Sequence, residues 1–351
     1  LALHLGRRNR TMSHLKSAII GCGGVARVHA HAINDNTDAH LMATVDIIGE
    51  RAEKYARKYG KEGCKAYTNY KEMLKDPSID VVHVCAPHYL HAPMVIDALE
   101  AGKNVITEKP LAISVEQAEA MIAAGKKSDK NFGVILQNRY NLASQEAKKV
   151  IDAGKLGKIL GARAFVTWYR TKEYYLESNW KGTWDKEGGG VLIDQAIHTI
   201  DLMQWLVGEV EWVQGTCHNR FHPYIEVEDV AEAMFQFKNG ARGVLFATNY
   251  YTYDSNIILE IHGENGKIFI EKDMARIEIG DEAYTVKEDQ QVKEGKSYWG
   301  SSHSTQIAEF YKDVASGKRH WISGEEAKKV LDIVLGIYRS EGKRVELPLK
   351  S

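Results

Sequence analysis

Leu15-Lys16-Ser17-Ala18-Ile19-Ile20-Gly21-Cys22-Gly23-Gly24-Val25-Ala26 is a short apolar run that breaks on glycine and resumes with helix-forming residues. The pattern predicts a buried strand, a tight turn and a helix, with G-x-G-x-x-A across the turn. Gly21 permits the turn, Gly23 and Gly24 leave room for a pyrophosphate, and the small Val25 and Ala26 let the helix start close to the strand. The helix N-terminus then faces the anion. The next apolar run, Leu41 to Val45, ends in Asp46, where an acid is placed to bond the adenosine ribose hydroxyls. A carboxylate there repels a 2′-phosphate, so the expected cofactor is NAD rather than NADP. Arg51 is the residue that can reach such a phosphate; on the next helix it reads as solvated.

Strand and helix patterns keep alternating outward from this unit. Val81 to Cys85, Lys103 to Thr107 and Phe132 to Leu136 read as strands, separated by helices over Ala92 to Ala101 and Ser114 to Ser128. That rhythm implies a doubly wound parallel sheet with ligands at its carboxyl edge. Two segments sit at that edge, Ala86-Pro87 with His91, and Glu108-Lys109-Pro110. Proline biases Lys109 toward an extended backbone, so its ammonium can project into the cleft and polarise a carbonyl or alkoxide.

Past Gln137 the rhythm changes to strands with little helix between them, including Ile159 to Tyr169, Val230 to Phe237 and Ala241 to Asn249. We expect residues 138–351 to form an open, mostly antiparallel sheet covered by helices, and residues 15–137 to form the nucleotide platform. The closing helices, Ser302 to Ser316 and Glu325 to Arg339, carry apolar stripes and are expected to pack back on the first half. Within the second half, Gly188-Gly189-Gly190 opens a segment predicted as helix over Val191 to Leu206. Asp194, His198 and Asp201 recur there at i, i+4 and i+7, which puts two carboxylates and an imidazole on one face. An imidazole titrates near neutrality, and a carboxylate one turn away can orient it. Arg139, Tyr140, Trp168, Arg170, Trp180, Trp184 and Gln195 are the expected substrate contacts. Aromatic faces suit the C–H surfaces of a polyhydroxylated ligand, and the charged groups suit its hydroxyls.

Lysine and arginine number 46 against 47 acids, interspersed along the chain, so no bulk attraction to nucleic acid or anionic lipid is indicated. No apolar run reaches the length of a membrane span. The four cysteines lack C-x-x-C spacing, which points to reduced thiols in the cytoplasm, and no histidine pair has a convincing set of metal-ligand neighbours. Leu1 to Thr11 is basic without an apolar centre, so we expect a disordered leader over residues 1–14, with Met12 as the start.

From Leu15 to Leu349 the chain resembles the Gfo/Idh/MocA family, the glucose-fructose oxidoreductase and inositol dehydrogenase group. The resemblance rests on the glycine turn, Pro87-x-x-x-His91, Glu108-Lys109-Pro110, the triple glycine with Asp194 and His198-x-x-Asp201, and Ser323-Gly324-Glu325-Glu326. It implies an N-terminal Rossmann domain and a C-terminal sheet used for contacts in a homodimer or homotetramer. It also implies NAD-linked oxidation or reduction of sugars or cyclitols. Lys109 matches the family's catalytic lysine, Asp194 its substrate-binding acid and His198 its acid/base. The segment Trp180 to Trp205 is similar to that of the nucleotide-sugar 3-dehydrogenases, though Asp194 stands where those often carry Asn. The expected reaction is hydride transfer at a sugar hydroxyl, at C3 of a pyranose by that similarity. The alternatives are a cyclitol dehydrogenase and an NAD-retaining, redox-assisted glycosidase or lyase.

Overall fold

A computed structural model describes residues 14–287 and 302–351. The leader expected over residues 1–14 lies, apart from His14, outside them. The first half is a six-stranded parallel sheet. Its strands are β1 (Leu15–Ile20), β2 (Ala39–Val45), β3 (Lys65–Tyr67), β4 (Val81–Val84), β5 (Asn104–Thr107) and β6 (Phe132–Val134), in the order β3-β2-β1-β4-β5-β6. The order reverses between β1 and β4, so the crevice over their carboxyl ends is where such sheets take ligands. The helices α1 (Ala26–Asp35), α2 (Gly49–Tyr59), α3 (Tyr70–Leu74), α4 (His91–Glu100) and α5 (Val115–Lys127) make the crossovers. Ser114 caps α5 by accepting from the Gln117 N–H.

The second half begins with α6 (Leu142–Asp152), β7 (Ile159–Thr167) and a short α7 (Lys172–Leu176). After the triple glycine, Val191–Ala196 forms a π-helical turn that passes into α8 (Ile197–Val207). The remaining strands are β8 (Val210–His218), β9 (Val230–Phe237), β10 (Arg242–Thr248), β11 (Ile258–Gly263), β12 (Gly266–Glu271), β13 (Met274–Ile279) and β14 (Glu282–Lys287). They are followed by α9 (His303–Ser316), α10 (Gly324–Ser340) and β15 (Val345–Glu346). The nine strands run β14-β13-β12-β11-β7-β10-β9-β8-β15, and β7 with β10 is the one parallel pair among them. Asn239-Gly240 and Asn265-Gly266 turn the antiparallel hairpins β9–β10 and β11–β12, as their turn chemistry predicts.

α9 does pack back on the first sheet: Ile307, Phe310 and Tyr311 share a buried cluster with Ile19, Ala30 and Ile33. Its Gln306 amide donates to Val134 O at 2.8 Å while its oxygen accepts from Leu136 N at 3.0 Å. Leu192, Ile193 and Ile197 lie in one continuous core with Val84, Val105 and Leu111. The segment carrying Asp194 and His198 is thereby fixed against the strands that carry Lys109.

Candidate active site

Gly21 sits at φ +90°, and a Cβ there would lie 2.6 Å from the Cys85 carbonyl oxygen, so only glycine fits between β1 and β4. Gly23 and Gly24 are exposed, with nothing within 4 Å of where a Cβ would be. No side chain caps α1, which leaves its first N–H groups to an incoming anion. Asp46 ends β2 with its carboxylate accepting from Cys22 N and Ile48 N, each at 2.9 Å. It therefore stands beside the glycine turn with lone pairs left for a ribose diol. The residues present fit a dinucleotide. Arg51 is exposed on α2.

Around Asp194 five side chains converge. Lys109 Nζ donates to Asp194 Oδ1 and to Asp194 O, both at 2.8 Å. Asp194 Oδ2 accepts from the Tyr174 hydroxyl at 2.5 Å, Lys181 Nζ at 2.9 Å and Gln195 Nε2 at 2.8 Å. His88 Nε2 stands 3.9 Å from Oδ1, with Trp180 against its ring. Burial alone would raise the Asp194 pKa, but Lys109, then Lys181 and His88, outweigh it and hold the carboxyl well below its usual range. Glu187, 3.6 Å from Lys181, goes the other way: burial, against the pull of Lys181, pushes it up to about 8.

His198, in the first turn of α8, shares a narrow cavity with Gln137, Asn138, Trp168, Gln195, Thr199 and Ile257. Burial, then the charge of Lys109, lowers its pKa to about 3, so the ring is neutral. His198 Nδ1, Gln137 Oε1, Asn138 Oδ1 and Asn249 Oδ1 are buried without a hydrogen-bond partner. Buried acceptors are rarely left so, and His198, Gln137 and Asn138 line one cavity, which is therefore suited to hydroxyl donors. Asn249 joins the group through Gln195 Oε1, 3.4 Å from its amide nitrogen.

Residues 15–136 match the model of the oxidoreductase family with an NAD-binding Rossmann fold, and residues 144–269 that of the GFO/IDH/MocA C-terminal domain. The chain is 33% identical over 271 residues to scyllo-inositol 2-dehydrogenase (NAD(+)) of Bacillus subtilis, covering 74% of this chain and 75% of that protein. The chain belongs to the GFO/IDH/MocA oxidoreductase family. It is 28% identical over 328 residues to myo-inositol 2-dehydrogenase of Thermotoga maritima, covering 90% and 93% of the two chains. A levoglucosan dehydrogenase solved in complex with NADH superimposes with a TM-score of 0.87 at 26% identity, over 96% of this chain and 100% of that one. This family member is an oxidoreductase, and NAD is its cofactor.

Several expected contacts sit elsewhere. Arg139 is 0% exposed and bonds Asp201 twice, at 2.8 and 2.6 Å, and Glu326 at 2.8 Å. It is a core ion pair rather than a substrate contact, and Asp201 is drawn away from the Asp194–His198 face to meet it. The Tyr140 hydroxyl lies between Glu309 and the Trp321 indole. Arg170 is buried over the Trp168 and Tyr174 rings, with its guanidinium donating to Asp254 at 3.0 Å. Trp184 stands edge-on to Tyr338 and donates to Glu226 O. On the cofactor side, the His91 ring is bracketed by the Ala86 and Pro110 carbonyl oxygens at 2.9 and 2.8 Å, so it braces two strand ends. Glu108 turns inward to His29 and His303. Asp194 does not orient His198, because its oxygens are already committed. Tyr174, Lys181 and His88 also stand around Asp194. Among the described residues no group of three or more histidine, cysteine or acidic side chains could hold a metal, and no helix is long and apolar enough to cross a membrane.

The Arg139 ion pair supports one stability prediction. Lysine cannot reproduce the paired bonds to Asp201, so Arg139→Lys is expected to lower stability by about 2 kcal/mol. Urea unfolding at pH 7 reads the difference.

Proposed function

We propose that this enzyme oxidises a hydroxyl-bearing carbon of a sugar or closely related polyol, C3 of a pyranose being the first candidate, with Lys109, His198 and Asp194 as its working groups. The buried, unpartnered polar atoms that share the His198 cavity, Nδ1 of the ring itself with Gln137 Oε1 and Asn138 Oδ1, carry the reading, because a hydroxyl-bearing ligand at the mouth of that cavity brings the donors they lack. Relatives named as inositol and levoglucosan dehydrogenases support the same class. When bound, the nicotinamide supplies the acceptor for the carbinol hydrogen and its electron pair.

The chain's own groups handle the proton and the charge. His198, neutral, accepts the hydroxyl proton. Two of the three Lys109 N–H directions are held by Asp194, and the third is left for the oxygen that becomes negative. Asp194, gripped by Tyr174, Lys181 and Gln195, fixes that ammonium. Gly21, Gly23, Gly24, Val25, Ala26 and Asp46 receive the dinucleotide, with the Ala86-Pro87 backbone beside it. Trp168, Trp180 and Gln195 line the sugar's side. In this reading residues 15–137 hold the cofactor and 138–351 the substrate. Met234 and Val244, paired across β9 and β10 and 44% and 47% exposed, mark the sheet face through which copies associate in the cytoplasm.

The test is a screen of NADH absorbance across monosaccharides, glycosides, uronates and inositols, with mass spectrometry of the products. NADH formation on a sugar or inositol is the expected result. Cleavage without NADH would replace the dehydrogenase with the redox-assisted hydrolase or lyase. A second expectation concerns the cofactor: Asp46→Ser should narrow the preference for NAD over NADP by about tenfold or more, since like-charge repulsion at the 2′-phosphate is removed. The ratio of kcat/KM with the two cofactors measures it.

A further inference from the structure

Behind Lys109 a line of buried polar side chains crosses the first sheet. Glu108 Oε1 is 2.9 Å from His29 Nε2 and 3.4 Å from His303 Nε2. His29 Nδ1 is 2.8 Å from His83 Nδ1, and His83 Nε2 is 2.8 Å from the Tyr311 hydroxyl, which in turn meets Ser17 Oγ. All five partners from Ser17 to Glu108 are 5% exposed or less, and they come from β1, α1, β4, the residue just after β5, and α9. At the other oxygen, Glu108 Oε2 accepts from the Lys109 backbone N–H at 3.1 Å.

We propose that His29 is a positioning residue for the reaction: the directed line Ser17–Tyr311–His83–His29 presents its Nε2–H to Glu108 and keeps that side chain a carboxylate directly behind Lys109 and His198. The inference rests on the assignment of Lys109 and His198 to the chemistry. A carboxylate only accepts, so His29 Nε2 carries the hydrogen. In the neutral assignment His83 Nδ1–H donates to His29 Nδ1, Tyr311 O–H donates to His83 Nε2, and Ser17 O–H donates to Tyr311. Tyr311, His83 and His29 then each give one hydrogen bond and take one along the line. An isolated buried carboxyl would protonate. Here burial does raise Glu108, but the bonds from His29 and His303 outweigh it and hold it well below its ordinary range. The groups facing Glu108 are His29 on α1, Cys85 after β4, Lys109 beside it, His91 on α4, His198 on α8 and His303 on α9. Its negative charge counters the effect of burial and of Lys109 on His198, making the imidazole a better proton acceptor.

The test uses the NAD-bound enzyme. At pH 6 the infrared spectrum should gain a protonated-carboxyl band in His29→Leu that is absent from the unaltered enzyme, from His29→Gln and from the double variant His29→Leu/Glu108→Gln. On the sugar or inositol that the absorbance screen returns, the acid limb of kcat should move up by about one pH unit or more in His29→Leu, a tenfold loss per unit below it, and stay in place in His29→Gln. Nitrogen NMR of the histidine-labelled, unaltered enzyme should show His29 protonated at Nε2 and bare at Nδ1. This readout decides the matter even where His29→Leu fails to fold. A His29 with the opposite tautomer or with both nitrogens protonated, or a His29→Leu enzyme with neither the new band nor the shifted limb, overturns the proposal. Loss of turnover in Lys109→Ala together with an unmoved limb in His29→Leu overturns this inference alone, whereas full turnover in Lys109→Ala overturns the active-site reading beneath it.

Discussion

Lys109→Ala is expected to lower turnover by about 1,000-fold while leaving NAD affinity within about threefold, because the ammonium acts on charge that develops only in the transition state. The geometry gives the reason for so large an effect. Lys109 is held by two bonds to one residue, Asp194, whose own carboxylate is fixed by Tyr174, Lys181 and Gln195. The ammonium is therefore already in place before the alkoxide forms, with no reorganisation left to do. Lys181 cannot substitute, since it is engaged on the opposite oxygen and held there by the Tyr174 hydroxyl. Steady-state kinetics with the screened substrate and NAD titration by protein fluorescence separate the two quantities. A kcat within tenfold of the unaltered enzyme would remove Lys109 from the chemistry.

The nucleotide half was legible because its signals are local. A glycine turn directly after an apolar run, then an acid at the next strand end, specify strand, turn and helix within a span in which backbone sterics decide the conformation. The second half was legible at the level of strands and hairpins for the same reason. What could not be read was partner choice across long separations. Arg139 follows the last platform strand, and nothing near it announces Asp201 or Glu326, 62 and 187 residues on. The same applies to His29, His83 and His303, which look like scattered histidines until the sheet stacks them around Glu108.

The face argument for Asp194, His198 and Asp201 failed differently. A spacing of i, i+4 and i+7 gives one face only in a regular α-helix. Val191–Ala196 is a π turn, so the period changes between the first and second of these residues. Asp194 then meets the lysines, His198 meets the cavity, and Asp201 meets Arg139. The triple glycine is the signal that the entry is irregular: a Cβ at Gly190 would lie 1.9 Å from Glu228 O, so the backbone there is pressed against the loop leading into β9.

His198→Gln is expected to lower turnover by about 100-fold, the usual scale for a lost proton acceptor, with a smaller change in KM. Glutamine keeps much of the volume and a hydrogen-bonding group but cannot take up a proton near neutral pH, so folding and binding are spared more than chemistry. A stability signature accompanies the kinetic one. The folded-state pKa of His198 is lowered to about 3 from 6.5, so between those values the unfolded chain binds the extra proton. The contribution of the buried neutral ring is fully present above about pH 6.5 and is lost as pH falls toward 3. From pH 6.5 to 5 the unaltered enzyme should therefore lose about 1.5 kcal/mol more stability than His198→Gln. Urea unfolding at the two pH values gives that difference directly. Equal losses in both proteins would mean that the imidazole is solvated in the folded enzyme, and an imidazole open to water is not the sequestered base this site requires.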